Sequence, residues 1–291
     1  MAIQRLTCTP RSLPRSKWTA AAEHASFVNP ANRAPVERLM RAMSGFVANP
    51  MRISVLTQKY WGAGGVKLTV GFLDTPPADL RQHILLHMNA WSKFANVVFT
   101  ESRTDPDVRI ARDGGQNGGY WSYVGTDIQH IDKDKPTMNL EAFTMETPES
   151  EFVRVVRHET GHTLGCPHEH MRDELVARVD REKAIKYFMA TQGWSRDEVI
   201  AQVLTPISKG SLWGTTHADQ KSIMCYQIPG TLTKDGKPIL GGLDIDKQDA
   251  DFVGSIYPKK TQLTRPPQPG RAGKKRKSAR KKTGATRRRR G

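Results

Sequence analysis

The stretch His158-Glu-Thr-Gly-His162-Thr-Leu-Gly165-Cys-Pro-His168-Glu169-His170 concentrates more chemistry than any other part of the chain. His158 and His162 are four residues apart, so on an α-helix their imidazoles share one face and point toward one spot. Glu159 lies one step round that helix, close enough to reach a water at the spot without being a ligand itself. Gly165 suits a left-handed backbone that stops the helix and turns the chain. The turn brings His168 back as a third nitrogen, where a continuing helix would carry it away. Three imidazoles at ~2.0–2.1 Å leave one tetrahedral position open, the catalytic rather than the structural pattern for Zn2+. The plain alternative is a helix whose histidines are satisfied by surface hydrogen bonds. H-E-x-x-H alone would leave that alternative strong; the added glycine and third histidine make the pattern far more specific.

Composition sets the bounds. At 291 residues the chain holds one large domain or two small ones, with ample material for a core. No run of ~18 apolar residues occurs, so no membrane-spanning helix is expected. The N-terminal residues lack an apolar stretch after their charges, so no Sec-type leader is expected. The chain is therefore expected in the cytoplasm, or exported or delivered by a leaderless route. Three cysteines, Cys8, Cys166 and Cys225, are too few for a disulfide framework and fit a reducing compartment.

The net charge of +16 is local. Residues 259–291 hold 15 of the 45 Lys and Arg and no acid, leaving 30 basic and 29 acidic residues before them. Lys274-Lys-Arg-Lys277, Arg280-Lys-Lys282 and Arg287-Arg-Arg-Arg290 read as a disordered, solvated tail. No aromatic is interleaved, so its partners are expected to be nucleic acid or anionic surfaces met non-specifically through phosphate.

Three regions follow: an N-terminal extension over residues 1–50, a catalytic domain over 51–258, and the basic tail over 259–291. In the extension only Val36 to Val47 has helical spacing, through Leu39, Met43 and Phe46. The extension is expected to drape on the domain or stay loose, and a pro-segment fits too. Cys8 could cap the metal in a latent form, although an isolated cysteine more often simply packs. Residues 66–73 alternate as a strand, and a helix from Ala78 carries Leu80, Ile84, Met88, Trp91 and Ala95 as its apolar stripe. His83 and His87 on this helix are also four apart, but no third ligand is near in sequence, and a solvated flank is the expectation. Short strands are predicted at 96–100, 107–111 and 119–125. Thr147-Pro148-Glu149 reads as N-cap, N1 proline and early acid of the histidine helix. Later helices are predicted from Asp180 to Ala190, from a Ser195–Glu198 capping box to Leu204, and from Asp246 to Ile256.

From these residues the chain resembles the metzincin metallopeptidases, most closely their astacin-like bacterial members. His168-Glu169-His170-Met171-Arg172 looks like that group's H-E-H-x-R continuation. Ser222-Ile-Met224-Cys-Tyr226 is similar to its Met-turn, and Tyr120 to Asp127, after Asp107 to Ile110, to its edge strand and following segment. The resemblance covers about residues 55–258. It implies an α+β zincin fold: a twisted mixed sheet, an active-site helix and a mostly irregular C-terminal subdomain. It implies one catalytic zinc on His158, His162 and His168, with Glu159 as general base, Met224 as an apolar floor, and Tyr226 as a further ligand or oxyanion donor. The strand near Asp107–Ala111 would pair with an extended protein or peptide substrate. Cys166 and Cys225 depart from the pattern and are expected to pack inertly. The activity implied is that of a zinc endopeptidase. A rival reading is a nucleic-acid- or acidic-surface-binding protein with a relic zinc site, which would have no use for Glu159.

Overall fold

The structure, a computed structural model, describes residues 8–9, 11–42, 57–206 and 218–259. Period-two alternation builds the sheet. In β1 (Val66–Phe72) the residues Val66, Leu68 and Val70 are buried while Lys67 is exposed. In β2 (Val97–Glu101) Val97 and Phe99 face the core, and in β3 (Val108–Ala111) and β5 (Met138–Leu140) every residue is buried. Burial on both faces is what parallel strands covered on each side require. The strand order is β2-β1-β3-β5, with one further strand outside β5. β1, β2, β3 and β5 run parallel, and β4 (Tyr120–Ser122) runs antiparallel to β5 at the edge, Trp121 opposite Asn139.

This order corrects one expectation. The strand near Asp107–Ala111 is interior, hydrogen-bonded on both sides by β1 and β5, so it has no edge for a peptide. The chain after β3 loops outward, returns as β4, and then inserts β5 between them. The buried Asn139 fixes that loop: its amide donates to Asp113 O at 2.9 Å and Gly119 O at 2.7 Å.

α1 (Trp18–Val28) and α2 (Ala34–Ala42) precede the sheet. Between them, buried Asn32 links α1 to the chain just before β1, donating to Ala25 O and Tyr60 O and accepting from Tyr60 N. Lys17 also donates to His130 O at 2.8 Å. The described part of residues 1–50 therefore packs against residues that follow 57. α3 (Ala78–Met88) is the crossover that two parallel neighbours require. The apolar stripe continues past it on a 3₁₀ turn, Asn89–Lys93, that buries Trp91.

The helix that carries the histidines, α4, runs over residues 149–163 in three parts: Glu149–Glu151, wider π-type turns at Phe152–Val156, and Arg157–Thr163. Its N-cap position is Pro148, one residue later than expected, and no side chain caps it; the Thr147 hydroxyl instead accepts from Thr144 N. The helix C-terminus is held firmly. Trp61 Nε1 donates to Thr163 O at 2.8 Å, and the Tyr257 hydroxyl donates to Leu164 O at 2.6 Å. Two of the terminal carbonyls that a helix leaves orphaned are thus satisfied in the interior.

Beyond it lie α5 (Asp173–Val176), α6 (Arg181–Gln192), α7 (Arg196–Val199, extended by π-type turns Ile200–Leu204) and α8 (Lys247–Ile256). Capping boxes at Ser195/Glu198 and Asp246/Asp249 start α7 and α8. These helices and intervening loops enclose a second, smaller core around Ile185, Phe188, Val203 and Ile228. The last residues of the 36–47 stretch, and the basic tail apart from Lys259, lie outside the described residues.

Candidate metal centre

Helical spacing and one glycine bring the three histidines together. Gly165 takes φ 99°, in the left-handed region, and a Cβ there would stand 2.8 Å from the Tyr60 ring, so only glycine fits the turn. His168 returns with its Nε2 at 3.1 Å from His158 Nε2 and 3.0 Å from His162 Nε2. Gly161, between the first two histidines, leaves room for Met224: a Cβ there would meet its Sδ at 2.4 Å. Asp249, at the start of α8, holds the Ser222–Tyr226 segment by accepting from Ser222 Oγ at 2.6 Å and Ile223 N at 2.8 Å.

The ring protons can be assigned from the partners. His158 Nδ1 donates to Ile223 O at 2.6 Å and His162 Nδ1 to Cys166 O at 2.8 Å, because a carbonyl only accepts. Both Nε2 atoms therefore present lone pairs to His168 Nε2. One proton there could satisfy one of them, not both. Burial holds all three imidazoles well below their ordinary pKa, His162 at about 4, so none carries a charge at neutral pH. Neutral lone pairs converging in a buried site call for a cation. Donors around one zinc at ~2.0–2.1 Å stand about 3.3 Å apart, close to the spacing found here. The donor set fits zinc, with the two Nδ1–carbonyl bonds as its outer support.

Around this trio the fold places the remaining residues singled out by sequence. Glu159 is 1% exposed, and burial pushes its carboxyl up to about 8. Tyr226 lies 4.4 Å from His168 between ring centroids. Sequence gave His170 no part, yet its ring stacks on Tyr226 at 3.9 Å and 14°, and its Nε2 donates to Gln202 O. Its place in the His168–Arg172 motif was the signal available in sequence. Glu169 turns away to Arg172, 2.7 Å, and Asp219 N, 3.0 Å. A cavity of about 210 Å³ opens beside His158 and Tyr226, lined also by Arg154, Tyr187, Pro238 and Leu240. Cys166 and Cys225 are buried free thiols, raised above their ordinary pKa by burial.

Cys8 is a fourth member. Its Sγ stands 3.4 Å from His162 Nε2 and 3.6 Å from Glu159 Oε2, and the Tyr226 hydroxyl donates to its carbonyl oxygen. Cys8 and the three histidines can bring ligand atoms within 4.8 Å of one another. The segment runs parallel to edge strand β4, with bridges Cys8–Tyr120 and Arg11–Tyr123, and Thr9 N donates to Tyr120 O at 2.9 Å. Arg11 lies over the Trp121 ring at 4.7 Å.

No family model matches the chain. Over 99 residues, 34% of its length, it is 33% identical to the zinc metalloproteinase nas-27 of Caenorhabditis elegans, and it spans only a fifth of that protein. A structure of myroilysin superposes with a TM-score of 0.64 at 29% identity, covering 70% of this chain and 97% of that one. A second, crystal structure of myroilysin gives 0.52 at the same identity, covering 69% and 86%. In motif and in fold the chain is similar to the astacin-like metzincins. As expected, its fold is α+β, a five-stranded mixed sheet with the histidine helix packed against it. Among its described residues, no helix is long and apolar enough to cross a membrane.

Proposed function

We propose that this chain is a zinc-dependent endopeptidase held in a latent arrangement by its own N-terminal segment. One observation carries the reading: three uncharged Nε2 atoms converge beside a buried carboxyl and a tyrosine hydroxyl. His158, His162 and His168 would hold the ion. When bound, zinc acidifies a water and polarises the scissile carbonyl. Glu159 takes the proton of the attacking water and passes it to the leaving amine. Tyr226, once its hydroxyl is released from Cys8 O, donates to the oxygen that becomes negative in the transition state. His170 sets the plane of that tyrosine.

The substrate class follows from the edge. An extended peptide adds to β4 by main-chain hydrogen bonds, and the cavity beside His158 receives a side chain next to the scissile bond. Here Cys8, Thr9 and Arg11 lie along that edge, and Cys8 sits among the nitrogens that would bind the metal. Burial alone pushes the Glu159 carboxyl up to about 8, and the charge of a bound divalent ion would favour the ionised form that the base role needs. Withdrawal of the segment would admit both peptide and water.

Zinc content measures the first step. Purified protein should carry zinc at this centre and His162→Ala should lose it. Equal zinc in the two proteins, after weakly held ion is removed, would discard the centre.

A further inference from the structure

The spacing of His158 and His162 on α4 has a counterpart on α3, where His83 and His87 are also four residues apart. Sequence supplied no third ligand for them. The fold does: Glu149, 66 residues beyond His83, sits in the first turn of α4 directly against both rings. Its two oxygens are divided between them. Oε2 lies 2.7 Å from His83 Nε2, and Oε1 lies 3.1 Å from His87 Nε2. The three residues can place ligand atoms within 4.8 Å of one another, as the catalytic cluster does. Phe152 closes one side, its ring 4.4 Å from that of His83 and 5.6 Å from that of His87.

His87 is the informative member. It is 2% exposed, and neither ring nitrogen finds a hydrogen-bond partner despite the carboxylate 3.1 Å away. Buried polar atoms are ordinarily satisfied, so a buried ring aimed at a carboxylate and a second imidazole lacks something. Two imidazoles and one carboxylate form a donor set that zinc accepts, and nitrogen donors favour zinc, cobalt or nickel over magnesium or calcium.

We propose that His83, His87 and Glu149 form a second divalent-cation site that takes a zinc-class ion. Glu149 is 63% exposed, which leaves the remaining coordination positions to water. The ion would join the crossover helix α3 to the first turn of α4, the helix that carries His158 and His162. Its role there is structural, and it stands whether or not the chain is a peptidase.

Full-length protein saturated with Zn2+ and desalted tests it by metal count and thermal melting. The wild type should hold two zinc ions per chain, and His83→Ala and Glu149→Gln one each. His162→Ala should also hold one, and combined with Glu149→Gln none. Added zinc should raise the wild-type Tm further than that of either His83→Ala or Glu149→Gln. Both substituted positions are partly exposed, so folding is expected to survive, and circular dichroism checks that. A wild-type count of one that His162→Ala abolishes would overturn this site and leave the catalytic centre standing. A count unmoved by His83→Ala and Glu149→Gln would overturn it as well.

Discussion

At the scale of single residues, Glu159 and Tyr226 divide the proton work of the proposed reaction. Glu159→Gln should keep fold and metal and lose roughly 10²–10⁴ in kcat, the range of a positioned acid/base. Tyr226→Phe should lower kcat with KM little changed, since its bond forms only as charge develops; a rise in KM alone would contradict that role. Asp249 gives a pH signature. Burial raises its folded pKa to about 6, above its value in an unfolded chain, so the folded state binds the proton more tightly. Its stabilisation is therefore present at low pH and lost as pH rises through about 6. The unfolding free energy of wild type minus that of Asp249→Asn should grow by roughly 2 kcal/mol from pH 7 to pH 4. A flat difference in urea titrations would remove this account of Asp249. The convergence of the three histidines was legible in sequence because it depends on one helix and one turn, all within eleven residues. For Cys8 sequence offered both a cap on the metal and plain packing and could not choose, and Glu149 beside His83 was not legible at all, because those contacts join segments 151 and 66 residues apart.

Among elements, the edge strand and the segment laid along it decide whether the site is open. Cys8 reaches the histidines only because Thr9 and Arg11 are registered on β4. Cys8→Ala should therefore raise kcat/KM toward a short neutral peptide while leaving the Tm nearly unchanged. No gain, or a loss of zinc, would show that the thiol serves the site in another way. Element types were mostly readable: alternation marked β1, and a capping box marked α7. Sheet order was not. The run Val108–Ala111 is buried throughout, and such a run does not say which strands flank it. Arg109 also hides within it, its guanidinium satisfied by carbonyls of Lys135 and Ile131 that local pattern cannot foresee.

The whole molecule divides by composition after Pro258, where periodic apolar residues cease and like charges accumulate. The attraction of those charges to polyanions should fall steeply with salt. Protein truncated after Pro258 should fold, bind zinc and match the full chain in cleaving a neutral peptide once Cys8 is replaced. It should lose most low-salt binding to RNA or anionic vesicles. A large fall in cleavage with zinc retained would place the tail in the active site. The central claim is tested most directly by peptide hydrolysis in the Cys8→Ala protein, assayed before chelation, after it, and after zinc is restored. Glu159→Gln in the same background is run beside it. The account predicts cleavage that chelation abolishes, zinc restores and Glu159→Gln reduces by at least about 10². Zinc-loaded Cys8→Ala protein that cleaves no peptide in a broad library, or cleaves equally well with Glu159→Gln, would contradict it.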